Sequence, residues 1–460
     1  MDDARARPTA GPATRTPALD PALDGELELE LDIELDALTD LEREVSQRPA
    51  RQQPPWEDPV ALALVRRELA ARPSLVTPAE VTGLRARLAD VAGGRAHVLQ
   101  IGDCAEDPAE ASSGQVARKV ALLDALAEVL TATTGAPVVR VGRIAGQFAK
   151  PRSQSVEQVG DLELPVYRGH LVNGPEPDPG ARRADPWRML TCHAAARRVL
   201  RRLPVHAAPG REAVWASHEA LALDYELPLV RRTAEGDLLL GSTHWPWIGE
   251  RTRQPGGAHV ALLAQVINPV ACKIGPTTGA AEVLELCDRL DPYRVPGRLT
   301  LISRMGAGQV AERLPALVDA VRAAGHPVIW LCDPMHGNTV TTAEGVKTRT
   351  LTAVVQEVRD FLGAVRGAGG CAGGLHLETT PDDVRECVAD AAAVTTSRVS
   401  RSLCDPRLNP AQARAAVSAW NRQEARPPRP GLVGPGLVGR AAVAHGIRDE
   451  LDQGRTVPVT

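Results

Sequence analysis

The stretch Val328-Ile329-Trp330-Leu331-Cys332-Asp333-Pro334-Met335-His336-Gly337-Asn338-Thr339 contains the local pattern on which the fold prediction rests. It begins as a short apolar run, which is typical of a buried strand. It then reaches Asp, Pro, His and Gly, which are typical of a loop. At least seven other short apolar runs in this chain end in charged or metal-binding residues beside glycine or proline. This repetition predicts strands whose ends meet at one site.

Eight such runs are predicted as strands, at 96–101, 137–141, 213–216, 243–248, 269–272, 299–303, 328–332 and 374–377. Amphipathic segments that separate them are predicted as helices, among them 115–133, 279–290, 307–324 and 343–367. Strands that alternate with helices indicate an α/β protein with a parallel sheet. Eight repeats favour a closed (β/α)8 TIM barrel. An open doubly wound sheet should carry a glycine-rich phosphate fingerprint after its first strand, and Gly102-Asp103-Cys104 is not one.

The remaining segments predict the domain organisation. Residues 1–48, with alternating acidic and aliphatic residues at 26–36, are predicted as a disordered acidic tail; an edge strand and a docking segment are the alternatives. Residues 49–95 form an N-terminal helical extension, with Thr77 as the N-cap of its second helix. Residues 96–424 form the catalytic barrel, and 425–460 a mobile C-terminal tail.

Composition excludes several classes of protein. The formal net charge of −4 offers no argument for a nucleic-acid partner. No run approaches the roughly 18 apolar residues that a membrane span needs. The N-terminus has no apolar signal-peptide region. The eight scattered cysteines, without a CxxC pair, favour a reducing compartment, so we expect a cytoplasmic protein.

Metal-ligating side chains follow three of the predicted strands. Cys104, His336 and Glu378 come after the first, seventh and eighth strands, and Asp405 follows a little later. Functional residues of a (β/α)8 barrel gather at the carboxyl ends of its strands. One sulfur, one nitrogen and two carboxylates suit Mn, Co, Fe or Zn. A lone histidine in such a place is more often only hydrogen-bonded, and it is the convergence of four candidates that favours a metal.

Cationic side chains follow four other strands: Arg143, Arg251, Lys273 and Arg304. Each alone is ordinarily a surface or ion-paired residue. Together they would be costly to gather unless an anion compensates them. Lys150, Arg152 and Ser153 offer a second anion site after the second strand. The residues therefore predict a metal-dependent barrel enzyme that acts on phosphorylated, anionic metabolites.

Five segments carry a resemblance to a known family. They are 99–106, 142–153, 247–253, 332–339 and 404–409. In sequence and order they resemble the class II 3-deoxy-D-arabino-heptulosonate 7-phosphate (DAHP) synthases, over about residues 49–421. That family condenses phosphoenolpyruvate with erythrose 4-phosphate at the start of the shikimate pathway. Its fold is a (β/α)8 barrel with N-terminal additions.

The resemblance implies roles for individual residues. It makes Cys104, His336, Glu378 and Asp405 the ligands of a divalent metal, with Mn²⁺ or Co²⁺ expected first and Zn²⁺ or Fe²⁺ as alternatives. It assigns phosphoenolpyruvate to Arg143, Lys150, Arg251, Lys273 and Arg304, with Trp247 and Glu250 lining the site. It assigns the phosphate of erythrose 4-phosphate to Arg152 and Ser153. The catalytic residues would be Lys150, Cys104 and His336, with Lys150 as the proton donor near the aldehyde.

Further expectations follow from the family. The segment between Arg143 and Glu250 is compact, which resembles the short subgroup tied to secondary metabolism. The resemblance implies a homo-oligomer, dimer or tetramer, and an association with a chorismate mutase through the acidic tail. Cys104 and Cys404 are hypothesised to form a disulfide when metal is absent. Two rival functions stay open: a synthase that uses an aminated sugar phosphate, and a catalytically silent regulatory homologue.

Overall fold

A closed barrel of eight parallel strands dominates the computed structural model, which describes residues 40–205, 212–396, 399–400 and 402–420. The strands are β1 His97–Gly102, β2 Val138–Arg143, β3 Val214–Glu219, β4 Trp245–Ile248, β5 Val270–Ile274, β6 Leu299–Ser303, β7 Ile329–Cys332 and β8 Cys371–Glu378. Each strand pairs with the next along the chain, and β8 closes on β1. All eight predicted strands are therefore confirmed, and so is the (β/α)8 fold.

Helices surround this barrel, at Pro59–Ala70, Pro78–Ala92, Ser113–Thr134, Arg188–Leu200, Leu223–Glu226, Ala258–Gln265, Ala280–Leu290, Val310–Ala323, Leu351–Gly367, Ala391–Thr396 and Pro410–Ser418. Short 3-10 turns span Pro108–Glu110 and Leu227–Leu229. The ends of the helices follow ordinary capping chemistry. Thr77 is the N-cap of the helix Pro78–Ala92 and forms a reciprocal capping box with Glu80, which confirms the predicted N-cap. Gly135 ends the helix Ser113–Thr134 in a left-handed conformation.

In the part of the chain that the structure describes, three antiparallel hairpins interrupt the alternation of strands and helices. They pair Val156–Val159 with Leu162–Pro165, Val230–Arg232 with Leu238–Leu240, and Thr339–Thr341 with Lys347–Arg349. The last hairpin lies at the start of the segment 343–367 that was predicted as helix. The helix itself begins only at Leu351, because Thr350 caps it.

The helical extension covers the amino-terminal end of the barrel. The helix Pro78–Ala92 buries Val81, Leu84, Leu88 and Val91. The side chain of Arg85 donates to the Ile267 carbonyl just before β5. The backbone of Leu88 lies against Gly297 just before β6. The opposite end of the barrel therefore remains open for a site.

The folded structure includes residues that the sequence placed in the tail. Residues 40–46 are helical, and Leu41 and Val45 are buried in the core. Residues 1–39 of that predicted tail, and the predicted C-terminal tail 425–460, lie outside the described residues. Within the described ranges, no helix is both long and apolar enough to cross a membrane.

Gly374 in β8 provides a test of the barrel packing. Its φ is +148°, and a Cβ placed there would lie 1.9 Å from the carbonyl oxygen of Val98 in β1. We expect Gly374→Ala to lower the free energy of unfolding by roughly 3 kcal/mol or more, as strain and overpacking add. Urea denaturation followed by circular dichroism measures this change.

The matched control is Gly363→Ala, in the helix Leu351–Gly367, where an added Cβ meets no atom within 4 Å. Alanine should stabilise an exposed helical position by about 1 kcal/mol. Equal effects of the two substitutions would contradict the packing described here.

Candidate active site

A cleft of about 380 Å³ opens at the carboxyl ends of the barrel strands. Twelve of the thirteen predicted site residues line it: Cys104, Arg143, Lys150, Arg152, Ser153, Trp247, Arg251, Lys273, Arg304, His336, Glu378 and Asp405. The barrel brings them together because each lies near the carboxyl end of a strand or on a segment beyond it, and parallel strands end on the same side. The structure therefore brings these twelve side chains to one cleft, and their individual roles stay predictions.

Glu250 is the exception, and it does not line the cleft. Its carboxylate accepts a hydrogen bond from Arg253 Nη2 at 3.1 Å. It lies against Gly275, where a Cβ would come within 2.8 Å of Glu250 Oε1. The arginine three residues later therefore holds this carboxylate away from the open space.

The carboxylate of Glu378 is the centre of the buried charge in the site. It ends β8 and is fully buried, with Oε1 at 3.1 Å from Arg143 Nη2 and 3.2 Å from His336 Nε2. Its Oε2 accepts from Arg349 Nη1 at 2.8 Å. Burial alone would raise the pKa of Glu378, but His336, Arg349 and Arg143 hold that pKa well below its usual range. Glu378 is therefore an anion at neutral pH.

Asp333 orients two of the predicted site residues. Its Oδ2 lies 2.8 Å from His336 Nδ1 and 2.9 Å from Lys273 Nζ. A carboxylate on Nδ1 leaves Nε2 as the ring nitrogen that faces the cleft. Asp333 therefore restrains both His336 and Lys273. Cys332 is fully buried, as expected of a core thiol.

Cys104 and Asp405 form the other side of the predicted metal site. The Asp405 backbone amide donates to Cys104 Sγ at 3.0 Å. The Asp405 carboxylate contacts Lys150 Nζ and Lys347 Nζ, both at 3.3 Å. Burial alone would lower the pKa of Lys150, but Cys104 and Asp405 raise it above its ordinary value, so the ammonium stays protonated. Cys404 Sγ donates to the Ala105 carbonyl at 3.2 Å, and the neighbouring Cys404 thiol lowers the pKa of Cys104.

A thiol, an imidazole and two carboxylates, from Cys104, His336, Glu378 and Asp405, are suitable ligands for a divalent transition metal. Both carboxylates, however, form ion pairs with lysine or arginine. His336 Nε2 already contacts Glu378, while Cys104 and Asp405 contact each other. In the described ranges, no three His, Cys, Asp or Glu side chains are grouped closely enough to hold an ion as they stand. Binding would require Glu378 and Asp405 to exchange arginine or lysine contacts for the metal.

Aromatic and backbone contacts hold the cations in place. Arg143 stacks over the Trp247 ring at 5.3 Å, and its Nε donates to the Asp103 carbonyl. Arg304 Nη2 donates to the carbonyl of His336 at 3.1 Å. Held from several elements, these groups present positive charge to the cleft before any ligand arrives.

The loop after β2 carries the second predicted anion site. Glu106 accepts hydrogen bonds from three successive backbone amides, those of Ala145, Gly146 and Gln147. Ala145 adopts a φ of +68°, which these contacts maintain.

The far end of that loop is held through polar side chains. Arg251 Nη2 donates to Ser153 Oγ at 2.7 Å. Arg152 pairs with Glu157 at 3.2 Å. Arg152 and Ser153 thereby face the same cleft as the buried cations.

Among the described residues, sequence reasoning missed four charged residues in the cleft: Glu157, Glu219, Lys347 and Arg349. Lys347 and Arg349 lie on the hairpin that was predicted as helix. Glu219 ends β3 in Ser217-His218-Glu219, which was identified as a strand end but given no role. Its Oε1 is buried, with no hydrogen-bond partner in the described ranges. Burial raises the pKa of Glu219, against the pull of Lys273 and Arg251.

The comparisons with known proteins agree with this geometry. A family model described as the class-II DAHP synthetase family matches residues 41–213 and 205–418. The chain belongs to that family. This confirms the family predicted from the sequence and makes the protein an enzyme of the 3-deoxy-7-phosphoheptulonate synthase type.

Three relatives show how far the likeness extends. A probable phospho-2-dehydro-3-deoxyheptonate aldolase of Pseudomonas fluorescens is 54% identical over 83% of this chain and 97% of its own length. The corresponding aldolase of Mycolicibacterium smegmatis is 40% identical over 79% of this chain and 90% of its own. That of Streptomyces coelicolor is 39% identical over 79% and 93%.

Glu357 links the loops that carry Arg304 and His336. This fully buried side chain of the helix Leu351–Gly367 accepts from the Gly306 amide at 2.8 Å and from Asn338 Nδ2 at 2.6 Å. Burial raises the pKa of Glu357 from 4.5 to about 8. Both loops therefore depend on a carboxyl group that is protonated at neutral pH.

Protonation of Glu357 predicts a pH dependence of stability. Between about pH 4.5 and 8, the unfolded chain has lost the Glu357 proton while the folded protein keeps it. The free energy of unfolding therefore falls as pH rises through this window. Relative to Glu357→Gln, which cannot titrate, the wild type should lose up to about 1.4 kcal/mol per pH unit.

Urea titrations at pH 5, 6, 7 and 8 measure the difference between the two proteins. Glu312→Gln, on the exposed face of the helix Val310–Ala323, is the control and should give a constant difference. A constant difference for Glu357→Gln as well would show that Glu357 is already ionised in the folded protein.

Proposed function

We propose that this enzyme condenses phosphoenolpyruvate with D-erythrose 4-phosphate and water to give DAHP and inorganic phosphate. The single observation that carries the proposal is the cleft in which cations from five barrel strands surround one space, in a chain of the class-II DAHP synthetase family. A substrate pair with a carboxylate and two phosphates complements that charge. The reaction is the first step of the shikimate pathway.

The cations support a division of labour. Arg143, Lys273 and Arg304 lie deep in the cleft, at the ends of β2, β5 and β6, and suit the carboxylate and phosphate of phosphoenolpyruvate. Arg152 and Ser153 lie on the loop after β2 and suit the phosphate of the sugar. Two anions held at separate places align the reacting carbons and lower the entropic part of the barrier.

Bond formation joins carbon 3 of phosphoenolpyruvate to the aldehyde carbon of the sugar. The aldehyde oxygen becomes a hydroxyl and takes a proton, for which Lys150 is the proposed donor. Positive charge develops at carbon 2, and water adds there with loss of a proton. The carbon–oxygen bond to phosphate then breaks, while the new hydroxyl becomes the ketone and its proton leaves with the phosphate. Glu219 is the proposed acceptor of the water proton, because its buried Oε1 is unpartnered in the described ranges and its pKa is raised.

Metal dependence is part of the proposal. Cys104, His336, Glu378 and Asp405 would hold a divalent ion, Mn²⁺ or Co²⁺ first, which would act as a Lewis acid toward the aldehyde oxygen. Asp333 on His336 Nδ1 supports this assignment, since metal-binding histidines commonly donate their other nitrogen to a carboxylate.

A phosphoenolpyruvate-consumption assay on EDTA-treated protein tests the function. Consumption and phosphate release should require both substrates and return when Mn²⁺, Co²⁺ or Zn²⁺ is restored. A catalytically silent homologue would release no phosphate under any of these conditions. Preference for an aminated sugar phosphate over erythrose 4-phosphate would replace the proposed acceptor with the rival one.

Glu219→Gln tests the proton acceptor. The variant keeps the shape of the side chain but cannot accept a proton, so kcat should fall roughly a hundredfold, the scale of general-base catalysis. Steady-state kinetics with both substrates varied measure the fall. Glu163→Gln, on the exposed hairpin strand Leu162–Pro165, is the control and should keep wild-type kinetics. An unchanged kcat for Glu219→Gln would remove Glu219 from the reaction.

The biological setting is also proposed. The compact segment between Arg143 and Glu250 supports a role in feeding secondary metabolism, which the neighbouring genes would test. We propose a homo-oligomer, dimer or tetramer, measurable by light scattering. An association with a chorismate mutase through residues 1–48 is tested by deleting that segment; unchanged association would exclude the segment as the docking site.

A further inference from the structure

The barrel interior contains a continuous chain of hydrogen bonds between buried polar side chains. Ser217 Oγ lies 2.8 Å from the carbonyl oxygen of Gly142, and Gln100 Nε2 lies 2.9 Å from Ser217 Oγ. Gln100 Oε1 lies 2.6 Å from His376 Nδ1, and His376 Nε2 lies 2.7 Å from Arg143 Nη1. Gln100, Ser217 and His376 are each fully buried. The chain starts and ends on neighbouring residues of β2.

Arg143 determines the direction of these bonds from one end. A guanidinium has only donors, so His376 Nε2 must accept the hydrogen bond from Arg143. A histidine that accepts at Nε2 carries its proton on Nδ1. That proton faces Gln100, whose side chain must therefore present its oxygen to the ring.

The Gly142 carbonyl determines the same direction from the other end. A carbonyl only accepts, so the single hydroxyl proton of Ser217 is used there. Ser217 can then only accept from Gln100, which must present its NH2 group on that side. The amide orientation required at Ser217 is the one required at His376. Both ends therefore specify one arrangement of donors and acceptors.

We propose that Gln100 is a positioning residue for phosphoenolpyruvate, because it fixes the tautomer of His376 and so keeps Arg143 aimed into the cleft. The proposal rests on the proposed function in one respect, that Arg143 binds phosphoenolpyruvate. In the other tautomer, Nε2–H would face the Arg143 guanidinium donor to donor. The Trp247 ring packs on both Arg143 and His376, so neither side chain can move aside freely.

The tautomer can be observed directly by ¹⁵N NMR of histidine-labelled protein. The His376 signals are identified by their absence from His376→Leu protein. In the wild type, Nδ1 should carry the proton and Nε2 should not. In Gln100→Leu, Nδ1–H has no acceptor, so the ring should shift toward the Nε2–H form and displace the Arg143 guanidinium from Nε2. A wild-type Nε2–H ring, or the same tautomer in both proteins, would overturn the proposal.

A double-mutant cycle tests whether Gln100 acts through His376. Gln100→Leu should raise KM for phosphoenolpyruvate roughly tenfold, the scale of a lost hydrogen bond to a charged group, with KM for erythrose 4-phosphate nearly unchanged. The double variant Gln100→Leu, His376→Leu should be no worse than His376→Leu alone. Additive losses, or equal losses for both substrates, would show a general packing role and overturn the proposal.

Gln356→Leu is the matched control, because Gln356 is an exposed glutamine whose side chain donates to Asp360 one turn along its own helix. It should leave both KM values unchanged. If Gln100→Leu does not fold, Gln100→Met, which retains a long side chain without an amide, replaces it in both measurements. If the wild type is inactive, only the proposed function is contradicted. The NMR experiment uses no substrate, so it still tests the hydrogen-bond arrangement.

Discussion

The buried carboxylate of Glu378 is the interaction on which the rest of the site depends. A carboxylate without water is costly unless cations and hydrogen bonds surround it. Here Arg143 comes from the end of β2, while Arg349 and His336 come from the connection after β7. Removal of Glu378 would leave two buried guanidiniums without this anion. The ion pairs of Glu378 at the end of β8 therefore also hold together the side chains that line the cleft.

The balance of buried charge explains why the cleft suits anions. Glu378 and Asp333 are the fully buried acids at the centre, and both have pKa values well below their usual range. Around them stand Arg143, Lys273 and Arg349, with Lys150 and Arg152 further out. Eight lysine and arginine side chains line the cleft against four aspartate and glutamate side chains in the described part of the chain, so positive charge remains for a ligand to neutralise. Barrel strands hold these groups before binding, which is the preorganisation that electrostatic catalysis requires.

Polar residues behind the site set its geometry. Glu357 ties together the loops of Arg304 and His336, while Glu106 holds three amides of the loop after β2. Gln100 orders His376 inside the barrel. None of these side chains adds charge to the substrates. Each restrains a residue or loop that faces the cleft. Because these side chains are buried, no water can replace a hydrogen bond that breaks, so the restraint is effective.

The sequence alone was sufficient for the architecture, and it named twelve residues that line the cleft, whose roles stay predictions. Alternating strands and helices predict a barrel, and a barrel places all strand ends on one side, so a residue's position after a strand locates it in space. Local capping chemistry was equally readable, as Thr77 shows. These features depend on near neighbours in the chain and on a repeated pattern.

Only the tertiary structure decided which side chains meet. Glu250 turns to Arg253, and Lys347 and Arg349 enter the cleft on a hairpin that has the composition of a helix start. Gln100 and His376 lie 276 positions apart yet share a hydrogen bond. Such contacts depend on distances across the barrel and on competition among buried charges for partners. The sequence by itself determined the barrel and the strand ends that face the cleft; the tertiary structure decided the partners, because pairing energies depend on distance and burial.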